Sequence, residues 1–126
     1  MGGRGTLSGT AKYGEEFKTI EGPFQTSRGE VKVIASRLHK NNQRPYLTHT
    51  KNRIYATVNN KGVFNNVYFF DDNGRVVEEW NLFGKHGDVT GPHKHRGFEH
   101  SEYAEPLMPS DKAFLEEMNR KRTRRP

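Results

Sequence analysis

Apolar and polar residues alternate in two neighbouring segments near the middle of the chain. Residues 53–58 and 63–70 are both rich in β-branched and aromatic side chains, which suit the pleated surface of a sheet. Between them, Asn59, Asn60 and Gly62 tolerate the positive φ angles of a tight turn. The pattern therefore predicts a β-hairpin.

A third strand is predicted after a second turn. Asn73-Gly74 is the dipeptide that type I′ turns prefer, and residues 75–83 then alternate again. Glu78 and Trp80 share one face of this strand, whereas Glu79 points to the other face. We expect Trp80 to lie in the core, and the separation of the two glutamates argues against a paired-carboxylate site.

Two further elements flank this meander. Alternation over residues 30–35 predicts another strand, and Pro45 favours a loop over residues 38–51 because proline disfavours helix at the residue before it. After Pro109, Ser110 suits the N-cap of a helix. This helix carries an apolar stripe at helical spacing, formed by Phe114, Leu115 and Met118. We expect it to pack on one face of the sheet.

The fold class that follows is α+β: a three- to four-stranded antiparallel β-meander that ends at Phe83, a histidine-rich loop, and a C-terminal α-helix from about Ser110. Seven glycines and weak periodicity predict a flexible arm over residues 1–29. We expect one domain over residues 30–119 and a basic tail over residues 120–126.

Composition narrows the class of protein. The chain has 126 residues, of which 31% are hydrophobic, so one small core is expected. It contains no cysteine, which excludes disulfides and thiolate ligands. No apolar run approaches the roughly 18 residues that cross a bilayer. We expect a soluble protein with neither a membrane partner nor an organic cofactor.

The positive charge is concentrated near the C-terminus. The net charge is +6, and five cations lie within the last seven residues: Arg120, Lys121, Arg122, Arg124 and Arg125. Without these five, the rest of the chain has a net charge of +1 and is almost neutral. The five cations form either a solvated end or an electrostatic contact for the phosphates of a nucleic acid. Deletion of the residues after Asn119 is expected to leave folding almost unchanged.

Four of the six histidines lie within sixteen residues: His86, His93, His95 and His100. His93 and His95 are one residue apart, so in an extended segment both rings project to the same side. Lys94 and Arg96 then project to the other side. This spacing predicts a paired role for the two histidines.

The first hypothesis for this segment is a metal site. His93 and His95 are the expected first ligands of zinc or another divalent metal, since imidazole nitrogen is a common zinc ligand. The candidates that complete the coordination are the nearby histidine and carboxylate side chains His86, Asp88, Glu99 and His100. A charged histidine can also hold a phosphate-bearing partner.

The second hypothesis is metal-free cleavage of RNA. His93 and His95 would act as general acid and base, with Lys85, Lys94 or Arg96 stabilising the charge that develops on the phosphate. A third interpretation makes these histidines polar residues of an ordinary loop. The residues alone leave the three alternatives open, and with them the question of whether the protein is an enzyme.

Several segments form a recognisable combination: Met1-Gly-Gly-Arg-Gly5, Arg53–Val58, Val67–Asp71 with Gly74, Gly91-Pro-His-Lys-His95, Gly97-Phe-Glu-His100 and the C-terminal helix. This combination resembles a family of small, uncharacterised proteins and domains of phages and prophages in Gram-positive bacteria. Its members often lie beside, or are fused to, a minor head protein. They carry histidine at four matching positions, His86, His93, His95 and His100, which implies that these four belong together.

The resemblance implies a phage structural protein as a partner, and a location either in the cytoplasm of the host cell or in association with a virion. It predicts a phage head-module accessory protein whose histidine cluster binds a divalent metal or a phosphate-bearing partner. Similar histidine-rich segments occur in C-terminal modules of bacterial polymorphic toxins. These imply the alternative of a small ribonuclease or toxin-like effector.

Overall fold

The predicted meander forms the centre of a larger sheet in the computed structural model. The structure describes residues 17–35, 45–59, 61–83, 85–86, 89–97 and 104–122, with the backbone alone at 85–86 and 89–90. Strands β1 to β5 span Lys18–Thr26, Gly29–Ala35, Ile54–Val58, Phe64–Phe70 and Val76–Asn81. Strands β6 to β9 span Lys85–His86, Val89–Thr90, His93–Arg96 and Glu105–Pro106, and helix α1 spans Pro109–Lys121.

The described residues form a seven-stranded sheet in the order β1-β2-β3-β4-β5-β8-β9, and β6 pairs separately with β7. The α+β class is confirmed in broad terms, but the sheet has more strands than the three or four predicted. It is also mixed, because β2 runs parallel to β3. In the described part of the chain, no helix is both long and apolar enough to cross a membrane.

The antiparallel meander of β3, β4 and β5 is confirmed, although its second turn differs from the prediction. A type I′ turn needs positive φ at two successive residues. Gly74 has a φ of 77°, but Asn73 is not in that region. A Cβ at Gly74 would lie 2.3 Å from the carbonyl oxygen of Thr48, so this position accepts only glycine.

Part of the segment predicted as a flexible arm belongs to the sheet. Residues Lys18–Thr26 form β1, which pairs antiparallel with β2. Two register shifts, on either side of Glu21, interrupt its alternation, and this is why the sequence pattern did not reveal a strand. Phe17 and Phe24 are both buried, so the apolar side chains of this segment are part of the core. Residues 1–16 lie outside the described residues.

The connection from β2 to β3 makes these two strands parallel, which corrects the antiparallel arrangement predicted for the whole sheet. Its second half packs against the turn that precedes β5. Leu47 forms a bridge with Arg75, and the Thr48 amide donates to the Gly74 carbonyl at 2.8 Å. Residues 45–51 of the predicted loop thus pack against one end of the sheet.

Residues His93–Arg96 form a strand, which corrects the prediction of a histidine-rich loop at these positions. Strand β8 pairs antiparallel with β5 and then with the short strand β9. A meander that ended at β5 would leave a row of unpaired backbone groups at its edge, and β8 supplies their partners. The second half of the predicted loop is therefore an internal strand of the sheet.

The two faces of the sheet carry separate apolar clusters. The cluster between the sheet and α1 includes Val33, Ala56, Val67, Trp80, Phe114 and Met118. The cluster on the opposite face consists of Phe17, Ile34, Tyr55, Tyr68, Phe70 and Val76, with Tyr46 packed against it. Trp80 is fully buried, as predicted, and the predicted packing of the helix on one face is confirmed.

The N-cap of helix α1 lies two residues earlier than predicted. Met108, and not Ser110, is its N-cap, and Pro109 occupies the first turn. Proline suits that position because its φ is already helical and its missing N–H has no partner to lose there. The Asp111 carboxylate accepts a hydrogen bond from the Met108 amide at 2.8 Å, which satisfies one backbone donor at this end of the helix.

Arg122 ties the end of the helix back onto the sheet. Its guanidinium forms an ion pair with Glu21 on β1 and donates to the Gly62 carbonyl at 2.6 Å. It also lies over the Phe64 ring, 4.5 Å from the centroid. Its side chain is only 2% exposed, so this cation of the predicted tail is part of the folded domain. The expected tolerance to deletion after Asn119 stays a prediction, and the contacts of Arg122 argue against it.

We predict that Arg122→Ala lowers the free energy of unfolding by about 3 kcal/mol, because it leaves the buried Glu21 carboxylate without its cation. Arg120→Ala removes an exposed cation from the last turn of α1 and is expected to change stability by less than about 0.5 kcal/mol. Denaturant unfolding of both variants provides the measurement. Equal stabilities of the two variants would contradict the structural role of Arg122.

Candidate functional site

Strand β8 presents its side chains alternately to the two faces of the sheet. In its pairing with β5, Lys94 lies opposite Trp80 and His95 lies opposite Glu79. Trp80 belongs to the cluster beneath α1, so Lys94 faces the helix and the histidines face the other side. The prediction that both rings project to the same side is confirmed, since His93 and His95 share one face of β8.

Five polar side chains come together on the face opposite α1. Across β5 and β8, His95 lies opposite Glu79 and His93 lies opposite Asn81. Asn81 in turn lies opposite Asn66 on β4. Directly opposed residues of an antiparallel pair have Cβ atoms about 4.5–5.5 Å apart, so these side chains are close neighbours. We call the set Asn66, Glu79, Asn81, His93 and His95 the histidine site.

Asn81 holds the carboxylate of the site in place. Its Nδ2 group donates to Glu79 Oε2 at 2.8 Å and to Asn66 Oδ1 at 2.9 Å. Both bonds use the side-chain amide as the donor, so Asn81 joins the Glu79 carboxyl group to Asn66.

His93 is held in one ring orientation by the backbone. Its Nδ1 lies 2.8 Å from the Gly91 carbonyl oxygen. A carbonyl only accepts hydrogen bonds, so Nδ1 carries the proton of this bond. In the neutral ring the lone pair then lies on Nε2. This is the tautomer that a histidine needs in order to bind a metal, or to accept a proton, through Nε2.

The two imidazole rings lie close together and are buried. Their centroids are 5.1 Å apart, and the ring planes are inclined at 81°. His93 and His95 are each 2% exposed, and Glu79 is 5% exposed. Tyr68 lies opposite Glu79 in the next strand, so the aromatic cluster on this face borders the site. Charges interact more strongly in such a water-poor environment than they do at the surface.

Lys94 has a different environment from its two neighbours. Its Nζ lies 2.7 Å from Asp111 Oδ2 and 3.7 Å from Glu78 Oε2. It also lies 5.9 Å from the centroid of the Trp80 ring. Lys94 therefore joins the sheet to the first turn of α1, on the side of the sheet away from the imidazoles. Its predicted part in catalysis stays a prediction.

The other predicted ligands lie largely outside the described residues. For His86 the structure gives the backbone alone, as part of β6, and Asp88, Glu99 and His100 are outside the described ranges. Within those ranges, no three His, Cys, Asp or Glu side chains converge to hold a metal ion. The structure thus brings together His93 and His95, while the complete predicted ligand set stays a prediction.

Of the five cations predicted to contact a nucleic acid, the structure describes three. Arg120 and Lys121 are exposed in the last turn of α1, whereas the Arg122 side chain is buried against Glu21. The remaining two cations, Arg124 and Arg125, are outside the described residues.

Comparison of the chain with protein-family models, with curated proteins and with solved structures gave no match. The resemblance to phage proteins stays a prediction.

Sequence reasoning missed three members of the histidine site, which are Asn66, Glu79 and Asn81. The two-residue period predicts that Glu79 and Asn81 lie on one face of β5. It does not predict the pairing of β8 with β5, which sets Glu79 opposite His95. A prediction that the histidine segment is a strand would have supplied that partner.

Asp111, in the first turn of α1, forms ion pairs with Lys94 and Arg28. Burial raises the pKa of its carboxyl, but hydrogen bonds from Lys94, the Met108 amide and Arg28 outweigh that effect, so the pKa lies below its ordinary value of 3.8. Because the folded-state pKa is depressed, this group contributes stability that is present above pH 3.8 and is lost as the pH falls through the folded-state pKa.

We predict that Asp111→Asn reduces the loss of stability on acidification, since the depressed carboxyl pKa is one source of that loss. Denaturant unfolding of the wild type and the variant between about pH 2 and pH 6 provides the measurement. Asp72→Asn, at an exposed turn position, is the matched control and should keep the wild-type pH dependence. Identical pH dependence in all three proteins would show that Asp111 makes no such contribution.

Proposed function

We propose that the histidine site binds a divalent transition metal, with His93 and His95 as two of its ligands. The observation that carries this proposal is the pair of buried imidazoles on one face of β8, with centroids 5.1 Å apart. With Zn–N bonds of about 2.0–2.1 Å and a tetrahedral angle, two imidazoles on one zinc ion have centroids about 5 Å apart. The spacing of the pair thus suits a shared ion.

The orientation of His93 supports the same assignment. Metal-bound histidines generally donate their second ring N–H to a carbonyl or carboxylate, which fixes the tautomer and raises the basicity of the ligating nitrogen. The bond from His93 Nδ1 to the Gly91 carbonyl has this arrangement and leaves Nε2 as the ligand.

The charges around the pair favour a cation. Lys94 and Arg96 alternate with the histidines in sequence, but both face the other side of the sheet, where they form ion pairs with Asp111 and Glu78. A divalent ion beside the imidazoles would therefore lie on the face of β8 opposite these two cations. The Glu79 carboxyl group, directly opposite His95, is an oxygen donor on the same face.

Burial favours an ion over a phosphate-bearing partner. A metal ion needs only the ligand atoms, whereas a nucleic acid or phosphoprotein needs an open surface, and the two imidazoles are each only 2% exposed. Imidazole ligands suit zinc, nickel, copper and cobalt better than magnesium or calcium. The remaining ligands would come from the set predicted from the sequence: His86, Asp88, Glu99 and His100. On the resemblance alone, we assign this centre to a phage head-module accessory protein.

We expect wild-type protein to bind Zn²⁺ and Ni²⁺ with measurable heat in calorimetric titration, and the combined His93→Ala and His95→Ala variant to lose that heat. His49→Ala removes an exposed histidine from the β2–β3 connection and is the matched control. Equal binding by the wild type and the double variant, or no heat from the wild type, would refute the metal site. Circular dichroism of each variant checks that the fold is retained.

A second function, acid–base cleavage of RNA, is favoured by one observation: Glu79 lies directly opposite His95 and within the same buried set as His93. A carboxylate beside an imidazole supplies two titratable groups for proton transfer. In this case the cluster must become accessible to the RNA backbone.

We predict that, if this second function is correct, the protein cleaves total RNA in the presence of excess EDTA and that His95→Ala reduces the rate by about 10²-fold or more. The rate is measured by gel or fluorogenic assay between about pH 5 and pH 8. Intact RNA across that range would exclude this function while leaving the metal proposal in place.

A further inference from the structure

Three segments that are far apart in the sequence meet at one end of the sheet. Strand β1 begins at this end and the β3–β4 turn lies there, because β1 is antiparallel to β2 and β2 is parallel to β3. The C-terminal end of α1 is joined to both segments by Arg122. Its guanidinium donates to Glu21 Oε1 on β1 at 3.0 Å and to the Gly62 carbonyl in the turn at 2.6 Å.

Each of the three segments contributes exposed positive charge at this end. Lys18 is the first residue of β1, Lys61 lies in the β3–β4 turn, and Arg120 and Lys121 are in the last turn of α1. Within the described residues, Lys18, Lys61 and Arg120 form no ion pair. The Lys121 ammonium lies 3.6 Å from Glu117 Oε2. We call the set Lys18, Lys61, Arg120 and Lys121 the basic surface.

The carboxylates near the basic surface do not cancel its charge. Glu21 is buried and pairs with Arg122, so these two groups compensate each other away from water. Glu117 accepts hydrogen bonds from the Ser27 amide at 2.8 Å and from the Ser27 hydroxyl at 2.6 Å. Glu116 is exposed in the same part of α1. The four cations of the basic surface therefore outnumber the two carboxylates beside them, and the surface is positively charged.

The lysine of the β3–β4 turn is carried by a backbone that is tied at several points. The Asn59 side-chain oxygen accepts hydrogen bonds from the Lys61 amide at 2.9 Å and from the Val63 amide at 3.1 Å. The Gly62 amide donates to the Asn59 carbonyl at 2.9 Å, and Arg122 bonds the Gly62 carbonyl to the end of α1. The backbone positions of these cations are thus set before a partner arrives, which lowers the entropic cost of binding.

We propose that the basic surface binds the phosphate backbone of nucleic acid. A polymer of closely spaced phosphates meets several of these cations at once and releases counterions from each contact. Phosphate contacts position a protein without reading bases, so binding is independent of base sequence. The surface differs from the contact predicted from the sequence, because Lys18 and Lys61 join it and the buried Arg122 does not. It makes no use of the histidine site.

The apolar side chains beside the basic surface argue against an anionic membrane as the partner. A protein that lies on a membrane places an apolar face beside its cations. In these three segments, the large apolar side chains that are exposed within the described residues are Ile20 and Val63, at 44% and 47%. Both are less than half exposed, so little apolar area is available to enter a lipid layer.

Fluorescence anisotropy with a labelled DNA duplex of about 20 base pairs and random sequence tests the proposal, in EDTA and over a range of salt concentrations. Each phosphate contact contributes about 0.9 to the slope of log affinity against log salt concentration. We expect Lys18→Gln, Lys61→Gln and Arg120→Gln each to weaken binding and to reduce the slope by about this amount. Glu116→Gln removes an exposed negative charge beside the surface and should tighten binding.

Lys51→Gln is the matched control. Lys51 is exposed and precedes β3, so it lies at the opposite end of the sheet, and its replacement makes the same change in net charge as Lys61→Gln. It should keep the wild-type slope. Equal effects of Lys51→Gln and Lys61→Gln would overturn the proposal, because only the total charge would then matter. Circular dichroism of each variant checks that the fold is retained.

Two further results would also overturn the proposal. One is the absence of DNA binding by the wild type at low salt, and the other is binding to phosphatidylserine vesicles without binding to DNA. The result is independent of the metal site, because EDTA removes divalent ions from the binding assay. A protein that binds DNA in EDTA but gives no heat with Zn²⁺ keeps the basic surface and loses the metal site, and the opposite pair of results does the reverse.

Discussion

The pairing of β8 with β5 is the interaction on which both faces of this protein depend. Through it, one short strand places His95 beside Glu79 on one face and Lys94 beside Trp80 on the other. Because side chains alternate with a period of two, a slip of one residue would exchange the two sets, burying imidazoles beneath the helix and exposing Lys94 to the aromatic face. The site and the attachment of the helix therefore share one structural requirement, the register of β8.

Beneath the helix, that register builds an ionic group in which Lys94 and Asp111 are buried. Asp111 pairs with Lys94 at 2.7 Å and with Arg28 at 3.1 Å, while Arg28 also lies 4.9 Å from the centroid of the Phe114 ring. The desolvation of buried charges offsets much of their mutual attraction, so the group contributes less to stability than its short distances suggest. What it fixes is the position of the first helical turn over Trp80, since each charge has a specific partner.

The other end of the helix is fixed by Arg122. Five cations lie close together in the sequence near the C-terminus, but this does not place all five on one exposed surface. Arg122 is buried against Glu21, so the exposed basic character of the described helix end rests on Arg120 and Lys121. The net charge of a segment predicts association with polyanions only where its cations are exposed to solvent.

The sequence by itself determined the local elements: the β3–β5 meander, the C-terminal helix, the burial of Trp80 and the shared face of His93 and His95. These follow from periodicity, turn residues and helix-terminal residues, all of which act over a few neighbours along the chain. The tertiary structure alone decided the parallel pairing of β2 with β3, the strand at β1 hidden by its irregular register, and the meeting of Glu79 with His95. Each of these depends on which distant segment completes an open sheet edge, and that choice is made by packing and backbone hydrogen bonding across the whole domain.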